Sequence, residues 1–216
     1  MQMEARLVLG ALKPEPTIPI EPKSADEPFT LRDHVYLLFA FVGVFWVVEG
    51  LDYVIPLDFD LSFGLQAKKV SGLWGILFSP FLHANFGHLM GNTIPFLILG
   101  GLVMASGVRV FLAVFALSAL MAGVGTWLLA PTYSVHVGAS GVIFGFLGFL
   151  LMRAWFGRRI LWMLIALVAA LLYGGLVFTL LRHQEGISWH GHFFGFAGGI
   201  FAAWLLTRKD APPLKF

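Results

Sequence analysis

The chain has 216 residues, of which 58% are hydrophobic and only 12% are charged, where an ordinary soluble domain carries about 25% charged residues. With 22 phenylalanines, no cysteine and a formal net charge of +2, it is neither a soluble globular domain, nor a disordered chain, nor a nucleic-acid binder built on a basic patch. It also lacks any disulfide framework, thiolate nucleophile or cysteine metal site. It reads as a polytopic membrane protein.

Residues 1–30 hold Pro14, Pro16, Pro19, Pro22 and Pro28 among charges of both signs, and read as a flexible cytoplasmic tail. Residues 1–12 have too little apolar length and too many charges for the core of a signal peptide. Apolar stretches long enough for a membrane helix follow at 34–56, 85–106, 109–130, 140–156, 160–181 and 188–207, each near the roughly 20 residues that a bilayer needs. The alternation of a barrel strand is missing, so the spans are helices. The expected fold is an all-α bundle of six transmembrane helices over residues 31–207, with a short cytoplasmic tail at 208–216. Between the first two helices, Asp58, Asp60, Lys68 and Lys69 alternate with Phe, Leu and Trp74. That pattern predicts a long first loop of short helices lying in the interface.

Basic residues set the expected orientation. With both termini in the cytoplasm, eleven of the fourteen Lys and Arg fall inside and only Lys68, Lys69 and Arg182 outside. The ratio is still seven to three when Arg6, Lys13, Lys23 and Arg32 are set aside.

Polar residues within apolar helices mark functional candidates. The second helix carries His83, His88 and Asn92, the fourth opens with Gly138-Ala139-Ser140-Gly141, and the sixth holds His190 and His192. Counting back from Arg153, Arg208 and Arg109 at about 1.5 Å per residue places Ser140, His192 and Asn92 roughly 20–25 Å above the inner face. All three thus fall in one layer near the outer surface. The thirteen residues from Ser140 to Arg153 are too few to cross, so residues 131–139 are expected to dip into the membrane as non-helical backbone beside a wet cavity. Ser140 then starts a helix. Gly141, Gly145 and Gly148 on the fourth helix and Gly195 and Gly199 on the sixth form small-residue faces that let the helices touch. Contact there brings the Ser140 hydroxyl near His192.

A serine beside a histidine is the minimal activated nucleophile. No carboxylate is available to orient the base, since Glu49 and Asp52 both lie near the outer end of the first helix, where they read as solvated or capping. The expected arrangement is a dyad, with the Phe144 ring stacked on the imidazole. The backbone N–H of Ser140, Asn92 and His88 are candidate oxyanion donors.

The set Gly138-x-Ser140-Gly141, His192-x-x-Gly195-x-x-x-Gly199 and His83-x4-His88-x3-Asn92 resembles the rhomboid family of intramembrane serine proteases, over about 70–205. The resemblance implies Ser140 as nucleophile, His192 as general base, and His88, Asn92 and the Ser140 amide around the oxyanion. It implies cleavage of single-span or polytopic membrane proteins near the outer ends of their membrane segments, with no metal or organic cofactor and no nucleic-acid partner. It also implies an active site opening to the outer face of what is expected to be a bacterial plasma membrane. Two positions depart from the family pattern. Trp74-Gly75 stands where Trp-Arg is common, which questions the anchoring of the loop, and Phe144 stands where Tyr is common, which keeps the ring and loses a hydroxyl.

Each residue also has a plain structural reading. Ser140 is then a packing residue, His192 a buried neutral histidine, and His88 and Asn92 ties to the first loop. His83, five residues from His88, is expected to point elsewhere, and His136 and His190 to be loop or interface histidines. Two other function classes compete: a non-catalytic rhomboid-like binder of membrane helices, and a metal-dependent enzyme or transporter on His88, His190 and His192. The spacing of His190 and His192 on a helix disfavours the latter.

Overall fold

The computed structural model describes residues 30–176 and 188–207. The proline-rich tail, the end of the fifth expected helix, the C-terminal tail and the Arg182 and Arg208 used for orientation and depth lie outside these residues.

Helix α1 (Leu31–Val54) starts at a capping box: Asp33 N–H donates to Thr30 Oγ1 at 3.3 Å, and Thr30 N–H donates to Asp33 Oδ2 at 2.7 Å. These bonds satisfy donors that a helix start leaves free. The first loop holds the short helices α2 (Phe59–Phe63) and α3 (Gly75–Phe78), the latter flanked by 3-10 turns, matching the expected interfacial segment. Helix α4 (Phe86–Met104) is capped by Asn85, whose Oδ1 accepts from His88 N–H at 2.9 Å. Helices α5 (Val108–Leu129), α6 (Ser140–Gly157), α7 (Ile160–Tyr173) and α8 (Trp189–Leu206) follow among the described residues. Each of the six apolar stretches is therefore helical within the described residues.

Helices α1, α4, α5 and α6 are each long and apolar enough to cross a bilayer. In α8 the histidines and glycines lower the mean hydropathy, and α7 is shorter within the described residues. Leu161, Leu164, Leu167, Leu171 and Leu172 on α7 are all exposed. Such a face is unfavourable in water and suits lipid. The protein is an integral membrane bundle of helices.

Helix α6 is the axis of the bundle. It is buried from Val142 through Leu150 and packs most extensively on α8. Glycines make this possible: a Cβ on Gly195 would overlap the Gly141 carbonyl oxygen, and one on Gly199 the Gly145 carbonyl oxygen. Many of the phenylalanines gather on the other side of α6. Phe45 meets Phe96 edge-on at 5.0 Å, and Phe111 meets Phe146 at 5.3 Å. Such pairs add about 0.5–1.5 kcal/mol each beyond their buried area.

The first loop is stitched to the segment before α6 in a way the sequence did not reveal. Strand β1 (Leu65–Gln66) pairs antiparallel with β2 (Val135–His136), Leu65 facing His136 and Gln66 facing Val135. Ala67 N–H donates to Ser134 O at 3.0 Å and Trp127 Nε1–H to Lys69 O at 2.9 Å. A Cβ on Gly75 would overlap the backbone of Leu65. A larger residue after Trp74 does not fit here, and the loop is anchored by this pairing. Asp52 does cap, accepting from Phe59 N–H at 2.8 Å. Glu49 departs from expectation. It is only 6% exposed, because the first loop folds back over the end of α1.

Candidate active site

Residues 131–139 are non-helical, as the short fourth helix requires. Gly138 adopts φ +115°, and a Cβ there would sit 2.7 Å from His88 Cε1 and 3.3 Å from Asn92 Nδ2. Glycine thus provides the left-handed turn and the space for two α4 side chains to reach the backbone just before Ser140. The turn is held by Gly138 N–H donating to Ser79 O at 2.8 Å. Ala139 caps α6 and Ser140 is its first residue, so the Ser140 N–H has no intrahelical acceptor.

Across the glycine contact, His192 Nε2 lies 2.9 Å from Ser140 Oγ. The Phe144 ring, one turn along α6, stacks on the imidazole at 4.3 Å and 17°. His192 is 9% exposed, and its Nδ1 is buried without a hydrogen-bond partner among the described residues. Within those residues the ring is oriented by Ser140 and by the stack, and no carboxylate bonds it.

A cavity of about 490 Å³ opens beside the pair, lined by His88, Asn92, Pro95, His136, Ser140, Phe144 and His192 among others. Asn92 is 5% exposed, and its Nδ2 is buried without a partner among the described residues. A donor left free in this way is costly unless a ligand atom meets it. Ser140, His192, Phe144, His88, Asn92 and Gly138 thus come together around one space, with Gly141, Gly195 and Gly199 behind them.

Three residues stand differently from what the sequence suggests. His83 precedes α4 and is not part of it. The chain turns at Asn85, so helical spacing does not apply, and the His83 ring meets His88 edge-on at 5.3 Å while resting on Phe45 at 5.4 Å. It backs His88. His136 lies on β2 and lines the cavity. Ser118 of α5 escapes sequence reasoning altogether. It is fully buried against α6, with its Oγ where a Gly145 Cβ would stand. A lone serine in an apolar helix is its only signal, and that signal reads equally well as a small packing residue.

A Rhomboid domain profile matches residues 70–209, well over half of the chain. This chain belongs to the rhomboid family. Its relatives include an uncharacterized protein of Mycobacterium tuberculosis, 39% identical over 181 residues, covering 80% of this chain and 75% of that protein. A Bacillus subtilis protein provisionally named as the rhomboid protease YdcA is 31% identical over 183 residues, covering 81% of this chain and 89% of that one. Rhomboid-like protein 11, chloroplastic, of Arabidopsis thaliana is 31% identical over 193 residues, covering 77% and 66% respectively. The matched rhomboid region contains every residue of the cavity wall named above.

Proposed function

We propose that the protein is an intramembrane serine endopeptidase acting through a Ser140–His192 dyad on membrane segments of other proteins. The observation that carries this reading is the 2.9 Å contact between His192 Nε2 and Ser140 Oγ, at a cavity in a rhomboid-family bundle. With its proton on Nδ1, the imidazole accepts the Ser140 hydroxyl proton at Nε2, and Oγ adds to the scissile carbonyl carbon. The carbonyl oxygen becomes an oxyanion, met by the Ser140 N–H, the Asn92 amide and His88. As the oxyanion collapses, the C–N bond breaks and His192 returns its proton to the leaving amine, leaving an acyl-enzyme. Water then adds to the ester carbonyl while His192 takes its proton; the C–Oγ bond breaks, His192 returns that proton to Oγ, and the carboxylic acid product leaves with Ser140 and His192 restored. No step needs a metal.

The substrate is a single-span or polytopic membrane protein that unwinds locally to reach the cavity. Both termini of the enzyme lie in the cytoplasm and the cavity opens to the outer face. The test is cleavage of a single-span substrate in proteoliposomes by wild type, by wild type with EDTA, and by Ser140→Ala. Product in the first two and none in the third is expected. Product from Ser140→Ala, or its loss with EDTA, contradicts the proposal.

A further inference from the structure

The strand leading into Ser140 carries a histidine whose hydrogen-bonding pattern its neighbours dictate. Ser134 has one hydroxyl proton. Its Oγ lies 2.6 Å from the Pro131 carbonyl oxygen, a separation that two oxygens adopt with a proton between them, so Ser134 donates there. His136 Nε2 lies 2.7 Å from the same Oγ. With the hydroxyl proton already used, Oγ accepts and Nε2 must carry the hydrogen. A neutral imidazole has only one N–H, so Nδ1 is left as an acceptor.

His136 borders both the large cavity and a small one of about 40 Å³ behind Ser140. Its neighbours Val135 and Val137 lean toward α2, with methyl carbons 2.9 and 3.0 Å from the place of a Gly64 Cβ. Val135 and Val137 also border the large cavity, so all three residues contribute to its wall, and His136 brings the polar side chain among them. Much of the large cavity's remaining wall is apolar, including Pro95, Ile143 and Phe144. A single acceptor in such surroundings suits a small neutral donor. A hydroxyl brings one proton to place, whereas an ammonium brings three and a charge that is costly to bury.

We propose that His136 is a specificity-determining residue, its Nδ1 accepting a hydrogen bond from a serine or threonine side chain of the substrate segment in the cavity. This rests on the proteolytic reading above. The test uses the full chain in proteoliposomes and single-span substrates in which each of the three residues on either side of the cleaved bond is Ser or Ala in turn. Wild type should favour Ser at one position by roughly three- to tenfold in kcat/KM, the scale of one net hydrogen bond. In His136→Phe that ratio should fall to near one, with the change in KM. His136→Asn, which returns an acceptor oxygen near the Nδ1 position, should restore part of it. If a thermal melt shows His136→Phe unfolded, His136→Ala takes its place. An absent Ser preference in wild type, or one unchanged in the folded variant, overturns the proposal. Cleavage that survives in Ser140→Ala overturns the proteolytic reading instead, and this proposal with it.

Discussion

Asn92 separates a catalytic from a structural reading at the level of single side chains. Its buried Nδ2 has no partner among the described residues, so removing that donor breaks no hydrogen bond among them. Asn92→Ala is expected to lower kcat by about 10–100-fold, roughly 1–3 kcal/mol of transition-state stabilisation, with little change in KM or thermal stability. A loss of stability without a loss of kcat is the contrary result. Phe144 stacks on the His192 imidazole. Phe144→Ala should cost about three- to tenfold in kcat, matching the 0.5–1.5 kcal/mol of a ring pair, and Phe144→Tyr should keep the activity. Ser140 and His192 were legible in the sequence because both lie on regular helices beside glycines, where spacing reports facing. His83 was not, because a turn at Asn85 breaks the helical count. His136 was not either, because its facing depends on pairing with Leu65, far away in the chain.

Among elements, the α6–α8 contact sets the Ser140–His192 distance. Gly199→Ala would force a methyl into the Gly145 carbonyl. It should destabilise by about 1–3 kcal/mol, as overpacking does, and lower activity with it. On α1 a Cβ at Gly43 would meet nothing within 4 Å, so Gly43→Ala should leave both within error or raise stability slightly. In the first loop, burial, then Asp52 and Asp58, raise the Asp60 pKa from 3.8 to about 6. The folded state therefore binds more protons than the unfolded one between those values, and stability falls as pH rises through that window. Asp60→Asn should raise the melting temperature at pH 8 and bring no gain at pH 4. Equal shifts at both pH values would exclude the carboxylate as the cause. The loop's short helices were visible in its alternating composition, but its strand was not, since two residues carry no periodic signal.

For the whole molecule, apolar length alone located the helix found in each of the six stretches within the described residues, because each must satisfy its backbone within one segment. Orientation rests on the distribution of Lys and Arg, and the absence of cysteine makes it directly measurable. A single cysteine at Ser71, exposed in the first loop, should react with an impermeant maleimide from outside intact cells, and one at the exposed Ala105, between α4 and α5, should not. The reverse pattern would invert the topology. The central claim is that Ser140 is a nucleophile activated by His192. The most direct test is a fluorophosphonate probe on the protein in proteoliposomes, with the labelled site mapped by mass spectrometry. The expected result is a phosphonyl adduct on Ser140 that is lost in His192→Ala while that variant keeps its fold. An unlabelled Ser140 in folded wild type, or labelling unchanged without His192, would contradict the claim.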